Sequence, residues 1–337
     1  MIIEPVINLM SLYVALAIFL FLGFLGCLFL LYVQLANRIL SDNFLRSRKR
    51  PLVDRSPTNF DRSTVEGRGK NWFYTNRAEF LNVQVSSFDN TKLYGYYRPS
   101  SDRDSKNVLI CLHGKGEHPN MCSAYAKLFM TKIQCHVLIV HERAHEMSDG
   151  NFSSYGLYES VDLQRWIDFV KEQVGNDCRV FVYGREMGAA AALLAASQDD
   201  ADECLAGIIA DSAYDNLDEL ILKRIRNQYK FNFAFVYSWV RRNILKRFKF
   251  DTSVCDVVRS AGKIRVPVLL FAGTDDKKIN PECTRRIYDN INSQKRMVLI
   301  EDAKHLQCYN MTPVLYEKEV ETFIEKCCIR LVKLGRM

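Results

Sequence analysis

The stretch with the clearest chemical content runs Val180-Phe181-Val182-Tyr183-Gly184-Arg185-Glu186-Met187-Gly188-Ala189-Ala190. An unbroken apolar run enters a glycine turn and leaves through an alanine-rich segment of helical composition. Small residues at such a strand–turn–helix junction allow a strained turn that lifts one side chain above the end of a sheet. The pattern is that of a nucleophile elbow, G-x-S-x-G, with Glu186 in place of serine. A serine there attacks once a histidine accepts its proton and a carboxylate orients the imidazole. A glutamate, with a reference pKa of about 4.3, is ionised without that help. Its attack on an ester carbonyl would form a mixed anhydride by expelling a much poorer leaving group than itself. Ester and amide hydrolysis through Glu186 is chemically disfavoured.

Such a turn needs a sheet covered on both faces to hold it. Residues 83–88 and 93–97 read as two strands joined at Asp89-Asn90. Short apolar runs follow at 108–112, 137–140, 180–183, 205–210, 268–271 and 297–300, as strands buried on both faces require. Between them lie helical candidates at 123–130, 158–173, 187–196, 283–291 and 314–334. The alternation predicts an α/β fold, doubly wound around a mostly parallel sheet, over residues 76–337. An insertion at about 215–260 interrupts it and interleaves aromatic side chains with Lys and Arg. That composition suits a cap over the sheet or a helix at a bilayer surface.

Of the 337 residues, 46 are basic and 39 acidic, a formal net charge of +7. Residues 38–70 hold nine basic and four acidic side chains, and 223–249 hold nine basic and no acidic ones. The remainder, 28 basic against 35 acidic, is negative, which argues against nucleic acid as a partner. Eleven scattered cysteines with no C-x-x-C pair read as free thiols of a reducing compartment, and no metal-ligand cluster is visible. The sequons at Asn151 and Asn310 point the other way, but such tripeptides are common by chance.

Residues 5–37 lack any charge. The apolar run 9–33, at about 1.5 Å per residue, exceeds the roughly 30 Å hydrocarbon core of a bilayer. A cleaved signal peptide is the alternative, but that wants a positive start and a short apolar core, whereas Glu4 precedes a long one. The expectation is a single-pass anchor at 1–37 and a basic juxtamembrane linker at 38–75. Arg38, Arg46, Arg48, Lys49 and Arg50 follow the apolar run, so the positive-inside rule keeps the C-terminal domain cytoplasmic. The window 223–249 is then a candidate contact for anionic lipid.

Over residues 80–331 the sequence resembles the α/β hydrolases, in their serine-aminopeptidase and monoacylglycerol-lipase-like branch. Leu112-His113-Gly114-Lys115-Gly116-Glu117-His118 is similar to that family's oxyanion loop, and Arg143-Ala144-His145-Glu146-Met147-Ser148-Asp149-Gly150 resembles its R-x-H-G-x-S-x-G loop, with Glu146 for the usual glycine. Tyr158-Glu159-Ser160-Val161-Asp162-Leu163-Gln164-Arg165-Trp166 matches the E-x-x-D-x-x-x-W helix that follows. The run 267–276 resembles the strand and G-x-x-D turn of the acid, and Ala303-Lys304-His305 the histidine loop.

The resemblance implies Glu186 at the nucleophile position, with Asp276 rather than Asp275 as acid and His305 as base. It also implies an oxyanion hole from the amides of Lys115 and Met187. His113 is expected to support its loop, and no cofactor is implied. The favoured expectation is a fold kept for binding an acyl or other hydrophobic ligand, or a protein, after loss of acyl-transfer chemistry. The alternatives keep an active hydrolase of acyl esters, lipids or peptides. In one, Glu186 displaces halide or opens an epoxide; in another, Ser212, Cys111 or a His305-activated water attacks.

Overall fold

The computed structural model describes residues 3–46, 60–201, 203–230 and 234–335. The chain forms two compact units, Met1–Asn43 with Leu222–Phe250, and Phe44–Ile221 with Asp251–Met337.

In the larger unit, eight strands among the described residues make one sheet. They are β1 (Leu81–Ser86), β2 (Lys92–Arg98), β3 (Asn107–Leu112), β4 (His136–His141), β5 (Arg179–Arg185), β6 (Leu205–Asp211), β7 (Val268–Gly273) and β8 (Lys295–Ile300). Their order is β1-β2-β4-β3-β5-β6-β7-β8. β1 pairs antiparallel with β2 and β2 with β4, and every later pairing is parallel. The apolar runs behave as their composition requires: β4, β6 and β7 are buried along their whole length. The two edges, β1 and β8, alternate between exposed and covered side chains instead.

The helices are α1 (Ile3–Phe44), α2 (Val65–Thr75), α3 (Ser123–Ile133), α4 (Leu157–Val174), α5 (Met187–Ala196), α6 (Leu217–Tyr229), α7 (Ala234–Phe248), α8 (Val257–Ala261), α9 (Pro281–Asn290), α10 (Cys308–Met311) and α11 (Pro313–Lys333). Side chains of α2, α3, α10 and α11 share one core with Leu109, Cys111, Val137, Ile139, Phe181 and Tyr183 of the sheet. Those strand positions alternate, so they line one face. α4, α5, α8 and α9 pack among themselves and on the strands of the other. α5 is apolar all round and nine of its ten residues are buried, as suits a helix inside a domain. All eleven cysteines, each a described residue, are free thiols.

The segment expected as a linker is partly built. Nothing in Arg38-Ile39-Leu40-Ser41-Asp42-Asn43-Phe44 breaks a helix, and α1 runs on to Phe44. Leu45 then bridges Phe152 in antiparallel fashion, and the Arg46 guanidinium donates to the carbonyls of Ser148 (2.7 Å) and Glu146. Further on, the Thr64 side chain caps α2 by accepting from the Gly67 amide. Gly69 lets that helix press on α3, since a Cβ there would come within 2.4 Å of the Ala124 nitrogen. Arg48, Lys49, Arg50 and the prolines 51 and 57 lie outside the described residues.

The smaller unit holds nearly all of α1 together with α7. Met10, Phe19, Phe24, Phe29 and Leu31 are all more than half exposed, so the helix presents apolar surface along its length. Residues Met10–Phe44 meet the length and composition of a membrane span.

Candidate active site

β5 feeds directly into α5, and the residue at the junction is Glu186, with φ 47° and ψ −104°. This is backbone that a side chain occupies only when its surroundings hold it there. The turn is held by close packing: a Cβ on Gly188 would lie 2.4 Å from the Leu112 carbonyl oxygen at the end of β3. The Glu186 amide donates to the Asp211 carbonyl at the end of β6 (2.9 Å), and its own carbonyl accepts from Ala190 (3.1 Å). Tyr183, three residues upstream, stacks on Tyr125 of α3 with ring centroids 3.8 Å apart.

The Glu186 side chain is 1% exposed. Its Oε2 lies 2.9 Å from Lys278 Nζ and 3.6 Å from His305 Nε2. His305 donates through Nδ1 to Asp276 Oδ2 at 2.7 Å. The other oxygen of Asp276 accepts from the amides of Lys278 (2.9 Å) and Ile279 (2.8 Å), which fixes the carboxylate after β7. Asp275 instead lies 3.5 Å from Lys277. The three side chains expected at nucleophile, acid and histidine positions therefore converge, although 90 and 29 residues separate them in turn. Burial of His305 opposes its charge, but the hydrogen bond to Asp276 and the adjacent Glu186 carboxylate outweigh that and raise its pKa.

The 113–118 loop adjoins this cluster. A Cβ on Gly114 would come within 3.2 Å of Glu186 Oε2, so the carboxylate reaches the loop whose next residue is Lys115. Met187, whose amide is the other expected oxyanion donor, opens α5 immediately after the elbow. The loop is braced from three sides. Glu117 accepts from the Gly114 amide (2.8 Å) and from Arg185 (3.0 Å to each carboxylate oxygen). Arg185, itself 1% exposed, also pairs with Glu66 of α2 at 2.8 Å. His145 accepts from the Gly116 amide (3.0 Å) while donating to the Arg143 carbonyl (2.8 Å), and burial keeps it neutral by lowering its pKa well below the usual value. His113 donates to Gly114 and accepts from the Glu142 amide, with its pKa pushed down by burial to about 4. It is a neutral support of the loop.

The remaining motif residues build scaffold. Arg143 makes a two-pronged bond to Asp162 (2.7 Å each) and a third to Asp89 at 3.0 Å. Glu159 accepts from the amides of Ser154 (3.1 Å) and Gly156 (2.8 Å), closing the entry to α4. Glu146 adopts φ 40°, which explains why glycine suits that position. Of the substitute nucleophiles, Ser212 donates to Asp211 at 3.0 Å, and Cys111 is fully buried, which raises its thiol pKa well above the usual value. A buried thiol of that kind is inert.

Sequence reasoning missed Lys278, Arg185, Glu117 and Glu66. The available signal was electrostatic: a carboxylate placed at a buried elbow demands a cation, and lysines stand one and two residues after Asp276.

No protein-family model matches the chain. It is 28% identical to YqkD of Bacillus subtilis over 258 residues, 73% of this chain and 81% of that protein. It is 23% identical to YfhR of Escherichia coli over 231 residues, 68% and 74% respectively. Neither name carries an activity. Among solved structures, the Pyrococcus furiosus esterase Pf2001 aligns with a TM-score of 0.56 at 22% identity, covering 74% of this chain and 92% of that one. Est1E of Butyrivibrio proteoclasticus aligns at 0.55 with 15% identity, covering 74% and 99%. Together with the sheet order and the helical insertion between β6 and β7, these likenesses establish the α/β-hydrolase fold.

Proposed function

We propose that this chain is a membrane-anchored α/β-hydrolase-fold protein that has given up acyl-transfer catalysis and serves to bind a hydrophobic ligand or a protein. The observation that carries this reading is the contact between Glu186 and Lys278 at 2.9 Å. A carboxylate held by an ammonium is a weaker nucleophile than a free one, and it stands beside the loop that would receive an oxyanion. Two negative charges cannot share that place, so the resident carboxylate opposes the tetrahedral intermediate that ester cleavage requires. The same contact works against alkyl displacement, because the ammonium draws charge from the carboxylate that would attack. In this reading α1 is the anchor, and the basic residues after its apolar run together with the eleven free thiols support a cytoplasmic α/β domain.

The test is hydrolysis of a short activated ester by the full chain, by Glu186→Ser and by Glu186→Ala. The natural chain and the alanine variant should be silent, and the serine variant should turn over. Turnover by the natural chain that the alanine substitution abolishes would make Glu186 a working nucleophile and end this reading. Silence of the serine variant would count against oxyanion amides at Lys115 and Met187.

A further inference from the structure

α7 has two unlike faces. Val236, Val240 and Ile244, one helical turn apart, are buried together with Tyr237. The stripe on the opposite side runs through positions 235, 239, 242 and 246. Phe235 is 59% exposed, Trp239 is half-buried, and Arg242 and Lys246 are exposed, with Leu245 beside them 49% exposed. Water alone does not select large aromatic and aliphatic groups on an outer face among cations. A bilayer interface does, because rings and chains settle at the headgroup boundary while ammonium and guanidinium groups meet phosphates.

A second observation gives this stripe its level. Tyr32 closes the apolar run of α1, the place where an aromatic belt residue of a membrane span sits. Its ring stacks on Phe235 at 5.9 Å and meets Trp239 edge-on at 6.2 Å. Phe235 and Trp239, both of the exposed stripe, therefore touch α1 where its apolar run ends. Charge supplies the third argument, since residues 223–249 carry nine basic and no acidic side chains.

We propose that the outer stripe of α7, through Arg242 and Lys246 flanked by Phe235, Trp239 and Leu245, binds anionic phospholipid headgroups of the bilayer that α1 crosses. The inference rests on α1 as a membrane span. The attraction between these cations and anionic headgroups is screened over about 10 Å at 0.1 M salt, so salt weakens it.

The experiment places the full chain in lipid discs of phosphatidylcholine alone or with phosphatidylserine. It reads amine acylation of Lys246 by mass spectrometry, with the exposed Lys326 of α11 as internal reference. Phosphatidylserine should slow Lys246 several-fold relative to Lys326, and high salt should restore the rate. Arg242→Glu should abolish the lipid dependence, and its side chain is exposed, so the fold should tolerate it. Equal Lys246 rates in the two lipids would overturn the proposal. So would protection conferred by a soluble acidic polypeptide in neutral discs and not by phosphatidylserine, which would assign the stripe to a protein partner. Failure of the chain to co-elute with discs would instead refute the span, a result separable from the labelling ratio.

Discussion

Two of the clusters that bury charge in the larger unit do so to different degrees of completion. Around Arg143, the guanidinium and the carboxylate of Asp162 are both about 5% exposed and meet in paired bonds, with Ser87 and Asp89 taking the remaining donors. Around Glu186, the carboxylate is equally buried, but Lys278 is 43% exposed and His305 stands at 3.6 Å, beyond a hydrogen bond. The first cluster is sealed. The second keeps a cation that can swing away and an imidazole that can change its charge. A sealed cluster holds a loop in place, whereas an unsealed one can answer a ligand.

The sharpest way to break this contrast is to open the sealed cluster. Asp162→Asn keeps the shape and removes the charge, leaving Arg143 buried with only the partly exposed Asp89 as counter-ion. Losing one partner of such a pair costs about 3–5 kcal/mol. Urea unfolding should show that loss as a lower midpoint at unchanged slope. A midpoint within error of the natural chain would mean that the Arg143 cluster is no more structural than the Glu186 one.

The matching change in the unsealed cluster is Lys278→Met. It strands the buried carboxylate, but Lys278 is nearly half in water and its removal leaves His305 nearby. We expect a smaller loss, about 1–3 kcal/mol, the usual cost of an unsatisfied buried polar group. A loss equal to that of Asp162→Asn would erase the distinction. A gain in stability would show that the ammonium is held there against its own preference.

How far the two clusters were legible in the sequence follows from the same physics. The elbow could be read because its constraints are local: an apolar strand, two glycines and a run of alanines permit few other conformations. Asp276 and His305 could be read because the segments that carry them resemble the acid turn and histidine loop of the α/β hydrolases, in the same chain order. Lys278 could not, because a lysine in Asp275-Asp276-Lys277-Lys278 looks like surface until Asp276 captures the amides of Lys278 and Ile279 and turns the chain toward Glu186. Arg185 was hidden differently. Its partners Glu117 and Glu66 come from distant segments, and Glu66 belongs to a helix whose two glycines disguise it as linker. Close packing on α3 repays those glycines, and no local pattern announces that contact. A candidate span was legible from length and charge alone, and the helix that carries it runs about two turns further than expected, through Phe44.

The smallest effect concerns protons. The two carboxylates beside His305 raise its pKa in the folded chain above the unfolded value near 6.5. A raised histidine contributes stability that is fully present below the unfolded value and is lost as pH rises through the folded one. Glu186→Gln removes one of the two charges and leaves Lys278 facing His305 without its counter-ion, so both changes lower the folded pKa. Titration of the His305 ring followed by NMR should therefore move down in this variant. Stability measured across the same window should fall less steeply with rising pH than in the natural chain. Arg143 offers no such dependence, because the bonds to Asp162 hold its pKa above the usual value despite burial, far from neutrality. If the His305 titration does not move when Glu186 loses its charge, the 3.6 Å separation carries no electrostatic coupling. The unsealed cluster would then reduce to a Lys278–Glu186 pair standing beside an independent His305–Asp276 pair.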